Sequence, residues 1–206
     1  MVSVITGDII KSTQFSNPEI WLTPLKGALH KTGIDKKYWE VFQGDSFQIE
    51  INDNENAFHI AIYIKACLKT VKGLDVRMAI GVGNKTFEGN NITESNGEAF
   101  QFSGDTLANL KKEKTNLKIA SRDSVLNEEL NLYFKLALVL MDNWTVISAE
   151  TVKVALENDG ALQTDMAQIF GISQDAVSKR LKRAYLNEIM ELDAMYRRKI
   201  NLLNAP

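Results

Sequence analysis

One cysteine and two histidines in 206 residues leave little room for two kinds of protein. A lone thiol forms no internal disulfide, so Cys67, set in the apolar run HIAIYIKACLK, is expected to pack rather than to react. His30 and His59 stand well apart with neither beside the cysteine, which leaves no donor set for zinc. Positive charge is not in excess either: 24 Lys and Arg face 26 Asp and Glu, a net charge of -2. That excludes a protein coated in basic surface, and any contact with nucleic acid has to come from a local patch. No apolar run is long enough to span a bilayer. The apolar residues 1–7 lack a basic leader, so a buried strand in a cytoplasmic protein with no membrane partner is expected. There is no internal repeat and no low-complexity linker. The 45% apolar and 24% charged content is that of an ordinary globular chain, sufficient for one large or two small domains.

The first 122 residues mix strand and helix patterns. VSVITGDII reads as an interior strand ending in a carboxylate, Asp8. NPEIWLTPLKGALHKTG has roughly helical apolar spacing interrupted by Pro24, so an irregular or broken helix is expected. YWEVFQGDSFQIEI is β-rich on both sides of Gly44 and Asp45, the expected tip of a tight hairpin. NENAFHIAIYIKACLKTV carries Ala57, Ile60, Ala61, Ile64 and Leu68 on one helical face, and LDVRMAIGVGN alternates as a strand. Strand, helix, strand, strand, helix, strand is the order of the ferredoxin-like split βαβ plan, an antiparallel sheet covered on one face by helices. KTFEGNNITES reads as an exposed loop or loose hairpin. GEAFQFSGDTLANLKKEK reads as a helix in two pieces around Ser103 and Gly104, and NLKIASR as a fifth short strand.

From residue 123 to 206 the pattern is helical throughout, which places a domain boundary near Arg122. NEELNLYFKLALVLMDNW carries Leu130, Leu132, Phe134, Leu136, Leu138, Val139 and Leu140, dense enough to be buried on most sides; SAETVKVALEN gives a second helix. Ala176 to Leu203 contains no proline or glycine and reads as one long helix. Its apolar stripe serves either a homodimer seam or packing within its own domain.

Residues 163–183, QTDMAQIFGISQDAVSKRLKR, read as two short helices joined at Gly171. Met166, Phe170, Ile172, Val177 and Leu181 form the core, and Ala167 is small where the helices cross. Ser173 caps the second helix, which directs Gln174, Asp175, Ser178, Lys179 and Lys182 outward with Arg180 and Arg183 flanking. Amides and hydroxyls suit base edges and cations suit phosphates, so double-stranded DNA is the expected partner. The competing reading is a helical hairpin with a solvated basic face.

DMAQIFGISQDAVSKRLKRA resembles the helix-turn-helix of sigma-factor-like and related bacterial regulators. Taken with ITGDIIKS, GDSFQ, RMAIGVG and WTVISAETVKVALE, the whole chain resembles the SatD family of small bacterial proteins, which implies that both parts belong to one regulatory protein.

Asp8 and Asp45 are the best candidates for chemistry outside the tail. In the proposed strand order they are neighbours, able to share a divalent cation such as Mg2+, and the amides of Ile9, Ile10, Lys11 and Ser12 would open a helix aimed at phosphate. Alternatively, Asp8 caps that helix and Asp45 only serves its turn. GDIIKST, VFQGDSFQ, VRMAIGVG and FSGDTLANLKK, in that order, resemble degenerate motifs of class III nucleotidyl cyclases, whose two metal-binding aspartates match Asp8 and Asp45. Where the family carries its transition-state asparagine and arginine, this chain has Ala108 and Lys112, and the base-selecting positions fall at Trp39 and Gln101. The resemblance therefore implies binding rather than turnover. It points to a transcriptional regulator whose cyclase-like domain senses a nucleotide or other phosphorylated ligand. The rival is a divergent cyclase or phosphoryl-transfer enzyme with a regulatory tail.

Overall fold

The computed structural model describes residues 1–42 and 44–204, so Gln43 in the expected hairpin lies outside the described residues. Strand β1 (Val2–Ile10) is the centre of a five-stranded sheet. It pairs antiparallel with β3 (Ser46–Ile51) on one side and with β4 (Asp75–Gly83) on the other. β2 (Trp39–Phe42) borders β3, and β7 (Leu117–Ala120) borders β4, giving the order β2-β3-β1-β4-β7. The Gly44–Asp45 turn joins β2 to β3, with Gly44 at a φ of 85° that a side chain would resist. β4 and β7 are parallel, so the sheet is mixed and not antiparallel throughout as expected. The helix α3 (Glu98–Glu113) between them supplies the crossover that a parallel pair needs. The polar segment after β4 forms a two-stranded ribbon of β5 (Lys85–Phe87) and β6 (Asn96–Gly97).

Alternation along β1 sends Ile5 and Ile9 to one apolar cluster and Val4 to another. The first cluster includes Trp21, Leu25 and Leu29 of α1 (Glu19–Lys31) and most of α2 (Ala57–Lys69). Ala99 and Phe100 of α3 meet Val4 on the opposite side. Helices thus cover both faces, where one was expected. α1 is unbroken despite Pro24, because its buried residues keep one face against α2. α3 is also one helix. Its Ser103 hydroxyl lies 3.0 Å from the Phe100 carbonyl oxygen and 2.8 Å from Thr6 Oγ1, and Gly104 faces open space.

α3 lies so close to β4 that a Cβ on Gly81 would stand 2.0 Å from the Ala99 carbonyl oxygen and 2.6 Å from Ser103 N, both backbone atoms. Gly81→Ala is expected to lower the unfolding free energy by ~1–3 kcal/mol in urea titrations, as overpacking does. Gly104→Ala, on the open side of the same helix, should leave stability equal or higher.

α2 is buried nearly all round rather than along the single face its spacing suggested. One side meets the sheet and α1, and the other meets the C-terminal helices α4 (Ser124–Met141), α5 (Val146–Glu157) and α8 (Leu186–Asn204). Lys65, only 1% exposed, is neutralised by Asp75 Oδ1 and Asp142 Oδ1, each 2.6 Å from its Nζ. Tyr63 donates to Glu157 Oε1 at 2.6 Å, and burial pushes its phenol well up, which keeps it a donor. Arg122 therefore marks a change in secondary-structure class within a continuous core: one apolar cluster takes in Ile5, Phe58, Phe134, Trp144 and Tyr196.

α6 (Gln163–Phe170) and α7 (Gln174–Ala184) precede α8, and the expected single terminal helix is interrupted at Tyr185, which adopts the left-handed conformation at φ 53°. Trp144 Nε1 donates to the Ala184 carbonyl at 2.9 Å, holding the break. α8 then turns onto α2 and α4, burying Ile189, Tyr196 and Ile200, so this stripe packs within its own chain. A second departure lies on α4, where Leu132, Leu136 and Val139, expected to be buried, are exposed. Among the described residues, no helix is long and apolar enough to cross a membrane.

Candidate nucleic-acid interface and sheet-side cleft

α5, α6 and α7 form a small unit around Met166, Ala167 and Val177, closed by Val154, Ala155, Phe170, Ile172 and Leu181. Asp165 Oδ2 accepts from Leu162 N at 2.9 Å at the start of α6. Gly171 ends that helix at φ 63°, and Ile172 N returns to the Ala167 carbonyl at 3.0 Å. Ser173 caps α7 by accepting from Ala176 N at 3.2 Å. The turn is fixed by backbone geometry, which fixes the angle at which α7 is presented.

On α7, Val177 is buried while Gln174, Asp175, Ser178, Lys179, Lys182 and Arg183 are exposed, as is the cap Ser173. Lys179 Nζ lies 2.7 Å from Asp175 Oδ2, a pair one helical turn apart and largely in water. Such a pair holds weakly and gives way to a phosphate at little cost. Arg180 departs from the outward set: it is half-buried, with its guanidinium 5.2 Å from the centre of the Phe170 ring. It joins α7 to α6.

The sheet-side residues are arranged differently from expectation. Asp8 lies opposite Arg77 across β1 and β4. Arg77 grips both carboxylate oxygens, Nε donating to Oδ1 at 3.1 Å and a terminal nitrogen to Oδ2 at 2.8 Å. Asp45 accepts from the Ser12 hydroxyl, and its carbonyl accepts from Ile9 N at 3.1 Å. The expected helix opening at Ile9 is replaced by strand: Ile9 and Ile10 belong to β1, and Ile9 spends its amide on the hairpin. Lys11 is left-handed at φ 62°, and Ser12 starts only a three-residue turn. No α-helix therefore opens at Ile9. Arg77 is thus the charge partner of Asp8 in this structure. Among the described residues, no group of three or more His, Cys, Asp or Glu side chains converges to hold a metal ion.

Asp8 and Arg77 instead form part of a cleft between the sheet and α3, lined also by Thr6, Phe42, Ser46, Gly104, Leu107, Ala108 and Lys111, with a volume of about 370 Å³. One carboxylate and two cations leave it net positive. A larger cleft of about 580 Å³ was not foreseen from the sequence. It lies where α2 meets the end of α5, with Tyr38, Asp53, His59, Tyr63, Leu156 and Glu157 among its walls. Its walls come from three stretches, residues 31–38, 50–63 and 156–157, so no local motif announces it.

Set against known protein families, curated proteins and solved structures, the chain matches none of them.

Proposed function

We propose that this protein is a transcriptional regulator that reads double-stranded DNA through a helix-turn-helix formed by α6 and α7. A ferredoxin-like, cyclase-like sheet domain supplies its ligand-sensing half. The observation that carries the DNA reading is the exposed polar and basic face of α7 held at a fixed angle by the Gly171 turn. A helix so presented places amides and hydroxyls toward base edges, and cations toward the phosphates on either side. Local charge suffices for this even though the chain as a whole carries -2. Lys179→Ala is expected to weaken binding to all duplexes alike and to reduce the salt slope by about one unit. Gln174→Ala should relax sequence preference with little change in that slope. Unaltered binding in both variants, measured by fluorescence anisotropy on one set of duplexes, would reject α7 as the reading face.

The sheet-side cleft is the proposed sensor, and its net positive lining favours an anion. Lys111, the lining cation that Asp8 does not balance, is the group to meet phosphate, with Leu107 and Phe42 beside it for an apolar or planar portion. No divalent cation is required, because Arg77 already balances Asp8. A nucleotide at about 100 times its Kd adds about 2.7 kcal/mol of stability, which for a chain of this length corresponds to roughly 5–10 °C in Tm. ATP or GTP in the absence of divalent cation should give such a shift, and Lys111→Ala should remove it. No shift with ATP, GTP or pyrophosphate would mean that the cleft does not sense phosphorylated compounds.

α2 and α5 are the route by which occupancy would reach DNA. α5 packs on α2 through one side, with Tyr63 bonded to Glu157, and supports α7 through the other.

A further inference from the structure

We propose that the outward face of α4 is a self-association surface, on which a second copy of this chain pairs antiparallel about a two-fold axis at Leu132. The starting point is a burial anomaly. Val125, Leu132, Leu136 and Val139 are 72%, 55%, 59% and 63% exposed, four large apolar side chains on one helix. At about 100° per residue they fall within an arc of roughly 60°, a narrow seam of the kind helices use to pair. The opposite side of α4 is fully employed, with Leu130, Phe134 and Met141 buried against α2 and α8. α8 therefore leaves the outer seam uncovered.

Spacing and charge select a second copy as the occupant. Val125, Leu132 and Val139 are seven residues apart and symmetric about Leu132. An axis there sets Leu132 against its own counterpart and Val125 against the partner copy's Val139, so one patch complements itself, as a two-fold interface requires. Glu128 and Lys135 are exposed along the same edge of the seam. Antiparallel pairing about that axis sets this edge against the same edge of the second copy and brings Lys135 to the partner copy's Glu128, an opposite-charge contact made twice by symmetry. Charge complementarity along this edge thus fits the antiparallel arrangement. A groove of about 230 Å³ between α4 and α8, lined by Tyr133, Leu136, Ala137, Leu140, Ile189 and Leu192, flanks the seam and extends its apolar surface.

This proposal does not rest on the DNA reading. A seam along one helix of 18 residues is smaller than a standard stable interface, so dissociation in the micromolar range is expected.

The test uses the full chain with single cysteines under oxidised glutathione. Cys67 is a silent background, since it is buried and desolvation pushes its thiol up to about 11. Leu132→Cys should give a disulfide-linked dimer at least tenfold faster than Glu150→Cys, an exposed control on α5. Val125→Cys and Val139→Cys should cross-link efficiently only when the two variants are mixed. In sedimentation at ~100 µM the wild type should approach twice 23.1 kDa, and Leu132→Glu should sediment as a monomer with unchanged circular dichroism. A wild type that stays monomeric at that concentration overturns the proposal. So does a dimer that survives Leu132→Glu, or cross-linking of Val125→Cys alone as fast as of the mixture.

Discussion

Replacing Lys179, Lys182 and Arg183 together by alanine is expected, if α7 reads DNA as proposed, to lower affinity for duplex DNA by roughly a hundredfold at ~0.15 M salt. All three are exposed on α7, and under the proposed DNA reading each would neutralise one phosphate. Each phosphate neutralised contributes about 0.9 to the slope of log K against log salt, so the triple variant loses about 2.7 from that slope. Between ~0.15 M and a 1 M reference such a slope amounts to about two orders of magnitude. The Asp175–Lys179 pair does not offset this, because both side chains are mostly solvated and their mutual attraction is weak. None of the three contributes to the packed centre at Met166, Ala167 and Val177, so the melting temperature should stay within a degree or two of wild type. A fall in affinity with intact stability is what separates a lost interface from a lost fold. A triple variant that binds as tightly as wild type, with an unchanged salt slope, would place the DNA contact elsewhere or nowhere.

The second large effect concerns the core that joins the two halves. Tyr196→Ala should cost ~3–5 kcal/mol in unfolding free energy, the range for removing a large buried aromatic ring. Tyr196 is fully buried, with Phe58 and Phe134 at ring separations of 5.7 and 6.2 Å, and those two stack on one another at 4.5 Å. Its hydroxyl donates to the Asn54 carbonyl at 3.2 Å. Tyr196→Phe keeps the ring and removes that bond, so about 1 kcal/mol is expected. The ring comes from α8, Phe58 from α2 and Phe134 from α4, so the loss should act on the whole chain. Wild type and Tyr196→Ala should each unfold in one urea transition seen identically by circular dichroism and by tryptophan fluorescence, because Trp21 and Trp39 report on the sheet part and Trp144 on the helical part. Two separated transitions in the wild type would show that the halves fold independently.

Much of this architecture was legible because local chemistry dictated it. Alternating β-branched residues marked β1 and β4, Gly44 marked the turn between β2 and β3, and Gly171 with Ser173 marked the junction of α6 and α7. What escaped depends on contacts between distant residues. The break at Tyr185 has no proline or glycine to announce it; it is held by Trp144, forty-one residues earlier, and by burial of the α8 stripe. The continuity of α3 past Gly104 depends on its contact with Thr6 and Gly81 across the layer. At the sheet-side site, sequence reasoning found Asp8 and missed Arg77. The cation belongs to the strand pattern of RMAIGVG, and only the antiparallel register sets it opposite the carboxylate. Asp8 is half of a cross-strand ion pair that its own strand pattern does not announce. The apolar density of α4 suggested burial on most sides, because composition alone does not say how many faces have a neighbour.

Selection from a pool of randomised duplexes by the full-length protein at ~0.05–0.1 M salt tests the central claim most directly. The account predicts enrichment of a defined sequence by the wild type, a broadened version of it with Gln174→Ala, and loss of retention with the triple alanine variant. A pool that emerges unenriched, or one enriched equally by all three proteins, would contradict the reading of α7 as the element that recognises DNA.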